Sequence, residues 1–335
     1  ANIVTWSPEK TKKKQEELNT LNKPTDDLQI FLMNVEALSS KRGVEVADKF
    51  LLCHRAMLAV DESTTIKSRT ANRTKSIIKL GKNAPYRRIL TGSPVTKSPL
   101  DLFTQCEFLK NNALGHTSFW TFQNRYAKMV RKNMGAHSFN QIVGYQNLSE
   151  LNELIEDFSF RVRKEDCLDL PDKVYTKRLV ELTPEQRKLY DQLKRNALAI
   201  IEGEGMISAS TILTQLLRLQ QVCSGFAKLE DGRMIKVPSN KLTELMSLLE
   251  ETDGKAIIWG NFTHDLEIIG EALAKQYGPE SVELFYGGTP GEERQLIVER
   301  FQDKDDPLRF FVGQPRTGGY GLTLTEAKTV IYYSN

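Results

Sequence analysis

The feature that most limits what this chain can become is a repeated rhythm of short apolar runs separated by stretches with helical spacing. Ile3 to Trp6, Gln29 to Val35, Arg55 to Val60 and Arg87 to Thr91 are too short for helices and read as strands. Lys12 to Leu21, Val44 to Leu52 and Asn72 to Leu80 fill the gaps as amphipathic helices. The rhythm returns in the last hundred or so residues. There, helices over Lys241 to Glu251, Asp265 to Tyr277 and Glu292 to Phe301 alternate with strands at Ala256 to Trp259, Val282 to Tyr286, Leu308 to Val312 and Thr329 to Tyr333. Near-continuous apolar strands separated by helices indicate parallel sheets covered on both faces. Two such blocks in 335 residues, more than one core needs, predict two α/β lobes.

Between the blocks the pattern is helical. Thr183-Pro184-Glu185-Gln186 has the residues of a capping box with proline in the first turn, and the helix it starts should run to a Gly203-Glu204-Gly205 breaker. A second helix, Ser210 to Cys223, carries Leu213, Leu216, Leu217 and Leu219 and is expected to pack between the lobes. Residues 111–160 read as an insertion in which Phe119, Trp120, Phe122 and Tyr126 mix with basic residues, ahead of an acidic helix at Leu148 to Asp157. Those aromatics fit either a core or a base-stacking surface. The expected division is a first lobe over 1–110, the insertion, a linking region over 161–235 and a second lobe over 236–335.

Several classes drop out. No apolar run approaches the roughly 20 residues of a membrane-spanning helix. Cys53, Cys106, Cys167 and Cys223 are widely scattered, which argues against a disulfide framework or zinc site and fits reduced thiols in a cytoplasm. Charge is segregated. Between Ser63 and Gln141, fourteen basic residues face only Asp101 and Glu107, a local excess of +12 in a chain whose total is +3. Such segregation is costly unless a polyanion offsets it, although a solvated basic face has the same composition.

Three short motifs stand at ends of the expected strands. Met57-Leu58-Ala59-Val60-Asp61-Glu62 closes an apolar strand with adjacent carboxylates, the place where open α/β sheets bind ligands. There Asp61 can hold Mg²⁺ through water while Glu62 orients an attacking water, or the pair can simply cap the next turn. Ile89-Leu90-Thr91-Gly92-Ser93-Pro94 breaks a strand into a turn of small residues. Thr317-Gly318-Gly319-Tyr320-Gly321-Leu322-Thr323 lets backbone amides approach a phosphate closely, and also fits a plain loop.

In their order and separation these motifs resemble the Swi/Snf-type branch of the superfamily-two helicases. The likeness extends through Arg163-Lys164-Glu165 with Leu170-Pro171, the Leu217-to-Cys223 helix, Ile257-Ile258-Trp259-Gly260-Asn261-Phe262-Thr263, and Tyr286-Gly287-Gly288. The compact form is most like phage and bacterial members. The resemblance implies two RecA-like parallel-sheet lobes, joined by a helical segment, that close on ATP and Mg²⁺ and drive tracking on double-stranded DNA. Carried over by position, Asp61 holds Mg²⁺ and Glu62 activates water. Thr91, Gly92 and Ser93, with Gly318, Gly319, Gly321, Leu322 and Thr323, couple nucleotide to DNA. Phosphate contacts fall to Asn34, Lys67, Arg69, Asn261, Thr263, Gly288 and Thr317. Gripping phosphates rather than bases suits a motor that passes any sequence.

There are departures. Gly81-Lys82 and Gly254-Lys255 lack the flanking glycine and hydroxyl of a phosphate-binding loop. Ser63-Thr64 and Ser93 stand where many relatives have Ala-His and Thr. An excised piece, without ATP turnover by itself, is therefore expected. Two other readings remain: a degenerate motor that binds DNA or protein without turnover, and a strand-separating helicase. The latter ranks below translocation because no wedge hairpin is identifiable in the sequence.

Overall fold

The computed structural model describes every residue except 24, 26, 135, 136, 170, 204–208, 230, 319, 320 and 335. The chain divides into two units, Ala1–Pro171 and Asp172–Asn335.

In the first unit, β1 (Asn2–Thr5) pairs with β2 (Gln29–Leu32) and β3 (Met57–Val60) with β4 (Tyr86–Ile89), both in parallel. Four helices accompany them: α1 (Lys12–Thr20), α2 (Lys41–Cys53), α3 (Asn72–Gly81) and α4 (Leu102–Leu109). Thr11 and Ser40 cap α1 and α2 by accepting from the amides of Lys14 and Gly43. Val60, Ile66, Ile77, Leu80 and Phe108 form the core that seats the carboxyl end of β3. Burial along these strands alternates and is not continuous, contrary to the expectation of sheets covered on both faces. Ile3, Leu32, Met57 and Tyr86 are all half exposed or more.

The segment expected as a basic, aromatic insertion holds a hairpin that the sequence reading missed, ahead of the acidic helix that it expected. Helix α5 (Phe119–Tyr126) leads into an antiparallel hairpin of β5 (Ala127–Met134) and β6 (His137–Tyr145), followed by α6 (Leu148–Glu156) and the short α7 (Lys164–Cys167). The strands escaped notice because Lys, Asn, Gln and Ser occupy positions where β-branched residues usually mark a strand. The core reading of the aromatics holds for Phe122 and Tyr126, which are fully buried with Phe103, Cys106 and Leu151, whereas Trp120 is exposed.

The second unit opens with α8 (Pro184–Gly203) and α9 (Ala209–Cys223), then a small hairpin of β7 (Phe226–Lys228) and β8 (Met234–Lys236). The capping box forms as expected: the Gln186 amide donates to Thr183 Oγ1 at 3.2 Å, and the Thr183 amide donates to Gln186 Oε1 at 3.1 Å. Residues 204 and 205 of the breaker lie outside the described residues. On α9, Leu213, Leu216 and Leu217 of the apolar stripe are exposed and Leu219 is partly buried.

Next come α10 (Lys241–Glu250), β9 (Lys255–Trp259), α11 (Thr263–Tyr277), β10 (Val282–Phe285), α12 (Gly291–Gln302), β11 (Phe310–Gly313), α13 (Pro315–Gly318) and β12 (Ala327–Tyr332). The four strands make one parallel sheet in the order β10-β11-β9-β12. Here both faces are covered. Leu245, Leu249, Leu266, Ile269 and Leu273 of α10 and α11 pack on Ile258, Phe310 and Val312. Ile297 and Phe301 of α12 pack on Ile257, Trp259, Phe285 and Phe311. Because the strands are parallel, their carboxyl ends share one edge, where the motif residues emerge.

Candidate functional site

In the first unit the chain leaves β3 through a turn with unusual backbone. Asp61 is exposed, and its Oδ1 accepts the Glu62 amide at 2.9 Å. Glu62 sits at φ 47°, ψ 57°, the left-handed region that a residue with a Cβ adopts only at a cost of about 1–2 kcal/mol. Its neighbours hold it there. The Ser63 amide donates to Leu90 O at 3.0 Å and the Leu90 amide to Val60 O at 2.9 Å, extending the β3–β4 pairing past both strand ends. Such strain persists only where the surroundings over-determine it, and the pattern is commonest at working sites.

Side chains bind the acidic turn to the Thr91–Pro94 turn. Ser63, fully buried, donates from Oγ to Gln105 Oε1 at 2.7 Å. Gln105, also fully buried on α4, donates from Nε2 to the carbonyls of Pro94 and Asp101, each at 2.8 Å. The Ser93 amide donates to Thr91 Oγ1 at 3.2 Å, and Ser93 Oγ donates to Val95 O at 3.1 Å. Asp61, Glu62, Thr91, Gly92 and Ser93 thus stand on one braced edge. Lys67 reaches it through a hydrogen bond from Nζ to Thr96 Oγ1, and Thr96 Oγ1 donates to Asp101 Oδ2 at 2.9 Å. Three contacts from the backbone and side chain of Thr96 and the amide of Lys97 hold the Asp101 carboxyl below its usual range, outweighing its partial burial.

Two residues carried over as phosphate contacts have protein neighbours. Arg69 lays its guanidinium over the rings of Phe119 and Trp120, 4.8 and 4.7 Å from their centres, so it rests on aromatic faces. Asn34 is exposed at the start of a short 3-10 turn after β2; Glu36 of the same turn lies 3.9 Å from Arg73.

In the second unit the motif residues gather at the carboxyl edge of the sheet around Gln314. The Gln314 amide donates to Phe285 O at 3.0 Å, while its Nε2 donates to Asn261 O at 3.3 Å and to Thr263 Oγ1 at 3.4 Å. The amides of Thr317 and Gly318 return to Gln314 O at 3.0 and 2.9 Å. One glutamine therefore ties the ends of β9, β10 and β11 together. Gly318 is buried against Trp259, where an added Cβ would stand 2.9 Å from the indole, so the glycine is required for close approach. Gly321 has φ 72°. Leu322 packs beneath the sheet, Gly288 and Thr323 are exposed, and Gly319 lies outside the described residues.

Gln105 and Gln314 were not singled out in the sequence. A glutamine inside an otherwise apolar helix (Leu102-Phe103-Thr104-Gln105-Cys106) and one directly after a buried strand were the available signals.

Comparison with known proteins supplies the family. Residues 4–226 match the model of the SNF2-related domain, and residues 240–335 that of the helicase conserved C-terminal domain. The chain is 28% identical over 322 residues to YwqA of Bacillus subtilis (strain 168), named as an ATP-dependent helicase/translocase; the match covers 92% of this chain and 33% of that protein. It is 26% identical over 311 residues to the uncharacterized ATP-dependent helicase MG018 of Mycoplasma genitalium, with 91% and 27% covered. This chain thus spans about a third of the length of these relatives. A solved structure titled as the Sulfolobus solfataricus SWI2/SNF2 ATPase core in complex with dsDNA aligns with 26% identity and a TM-score of 0.42, covering 99% of this chain and 70% of that one. With the first model matching well over half of its residues and the second most of the rest, the chain belongs to the SNF2-related family of helicase-type ATPases.

Proposed function

We propose that this chain serves a DNA-dependent ATPase that translocates on, or remodels, double-stranded DNA at the expense of ATP. The observation that carries the reading is the strained Glu62. A carboxylate kept in left-handed backbone at the end of a parallel strand, and braced by a buried Ser63–Gln105–Pro94 network, is being aimed. A turn that only capped the next element would relax.

The donor set fits Mg²⁺, which keeps several waters and takes one or two carboxylates together with phosphate oxygens. Asp61, exposed and at the strand end, is the residue that would hold it, and the ion supplies neutralisation of phosphate charge. Glu62 orients the attacking water and receives its proton. Ser63 and Gln105 transmit the position of the acidic turn to Thr91, Gly92 and Ser93, whose turn reports it towards DNA. In the second unit Gln314 makes Asn261, Thr263, Thr317 and Gly318 one rigid group. These, with Gly288, Gly321, Leu322 and Thr323, serve phosphate contact and coupling there. Lys67, Arg69 and Asn34 contact the duplex backbone from the first unit, and the basic stretch that follows Ser63 supplies the field that attracts it.

The test is Glu62→Gln in the full protein. DNA-stimulated ATP turnover should fall by about 10²-fold or more while duplex binding survives, because only the proton acceptor is lost. An unaltered rate removes Glu62 from the chemistry. Absence of DNA-stimulated turnover in the parent as well as in the variant would leave a binding module.

A further inference from the structure

Beyond its share of the basic stretch, the β5–β6 hairpin has no assigned part in the reading above. Its base is locked. Met129 and Ile142 pack on the Phe122–Tyr126 core, and the Gln146 amide donates to Tyr126 O at 3.0 Å. Tyr126 donates from its hydroxyl to Glu150 Oε1 at 2.9 Å, and Arg125 pairs with both oxygens of the same carboxylate. Beyond that base the strands leave the core. Lys132 stands opposite Phe139 and Val130 opposite Gln141, and with Lys128 these side chains share the face turned away from the core. Lys128, Val130, Lys132, Phe139 and Gln141 are all exposed, Phe139 by 49%. Arg131 lies on the other face, donating to Ser138 Oγ from Nε and Nη2 at 3.2 and 2.9 Å. No acidic residue occurs from 127 to 145.

We propose that this hairpin is a second DNA-contact element that engages an unpaired strand where it leaves a duplex, with Phe139 stacking on a base and Lys128 and Lys132 holding the adjoining phosphates. The proposal rests on the reading of the protein as acting on DNA. The choice of occupant follows from the chemistry of the face. Two lysines with no carboxylate among them call for a polyanion. An exposed aromatic directly across from Lys132 calls for a flat partner, and bases inside a duplex are stacked on each other with no free face, whereas unpaired bases have one. The anchored base fixes where the hairpin leaves the first unit. The strand-separating reading thereby regains a structural element that the sequence did not reveal.

The experiment measures binding by the full protein, using fluorescently labelled oligonucleotides. One probe is a fully paired duplex; the other has the same paired length and two single-stranded arms. The readout is the ratio of their dissociation constants. Phe139→Ala should lower the preference for the forked probe by about 10-fold, within the range of one lost base stack, while Phe139→Trp restores it. Lys128→Ala combined with Lys132→Ala should flatten the dependence of forked-probe affinity on log salt by roughly 1.5. Urea midpoints of the variants verify that the fold is intact, as expected for exposed side chains. If the parent binds both probes and Phe139→Ala leaves the ratio unmoved, the hairpin proposal falls alone, and its apolar face is then a protein-docking surface. If the parent binds no duplex at all, the proposed function falls with it.

Discussion

The buried Ser63–Gln105–Pro94 network makes a sharp demand on energetics. Replacing Gln105 by Met keeps the side-chain length but removes three hydrogen bonds, at 2.7, 2.8 and 2.8 Å. A net hydrogen bond is worth about 1 kcal/mol, and a buried polar group left without its partner costs about 1–3 kcal/mol. Ser63 is fully buried, so its hydroxyl has no water to turn to. The expected cost of Gln105→Met is therefore about 3 kcal/mol. Ser63→Ala, which breaks only the first bond, should cost about 1–2 kcal/mol. The pair shares that bond, so the double variant should fall short of the sum by about 1 kcal/mol. Native-state hydrogen exchange read at the amides of Ser63 and Leu90, which close the two strand ends, measures this directly. Gln105→Met should speed their exchange roughly 100-fold, since about 1.4 kcal/mol is a factor of ten. It should also depress DNA-stimulated turnover, because the acidic turn and the Thr91–Pro94 turn no longer move together. A change of less than about threefold in exchange, or strict additivity of the two substitutions, would refute the claim that the network braces the site.

Two further outcomes follow from strain and burial. Glu62→Gly should stabilise the first unit by up to about 1 kcal/mol, because glycine adopts φ near 47° freely, while turnover is lost; a urea midpoint that falls would show that Glu62 is not strained. Asp265 is fully buried, and burial pushes its carboxyl above the ordinary range against the pull of the Ser334 hydroxyl, the Lys241 ammonium and the Ser224 hydroxyl. The folded state thus holds that proton more tightly than the unfolded one. Stability should fall as pH rises from about 4 through the raised value and then level off. Asp265→Asn should remove this slope and stabilise the second unit by about 1 kcal/mol at pH 7, read as the urea midpoint against pH; a variant that loses stability at neutral pH overturns the assignment.

How much of this was written in the chain depends on the range over which each property is decided. The positions of the parallel strands and their helices were legible because periodicity and caps act between residues two to four apart; the Thr183–Gln186 box is the clearest case. The acidic pair, the Thr91–Ser93 turn and the glycine bend were legible for a similar reason, each being a short string at the end of an apolar run. The hairpin was hidden because its strands are held by the Phe122–Tyr126 core beneath them, not by their own propensity. That Leu213, Leu216 and Leu217 stand exposed was not legible, because spacing marks an apolar stripe without saying what covers it.

The linear code thus determined the kind of elements, their order and the chemical groups available at the strand ends. Tertiary structure alone decided that Ser63 meets Gln105 across 42 positions, and that Gln314 gathers the ends of β9, β10 and β11. A hydrogen bond between residues so far apart carries no local pattern; it exists only because packing of the cores brings a donor and an acceptor within reach of each other, and at Ser63–Gln105 also shuts out the water that would otherwise satisfy both.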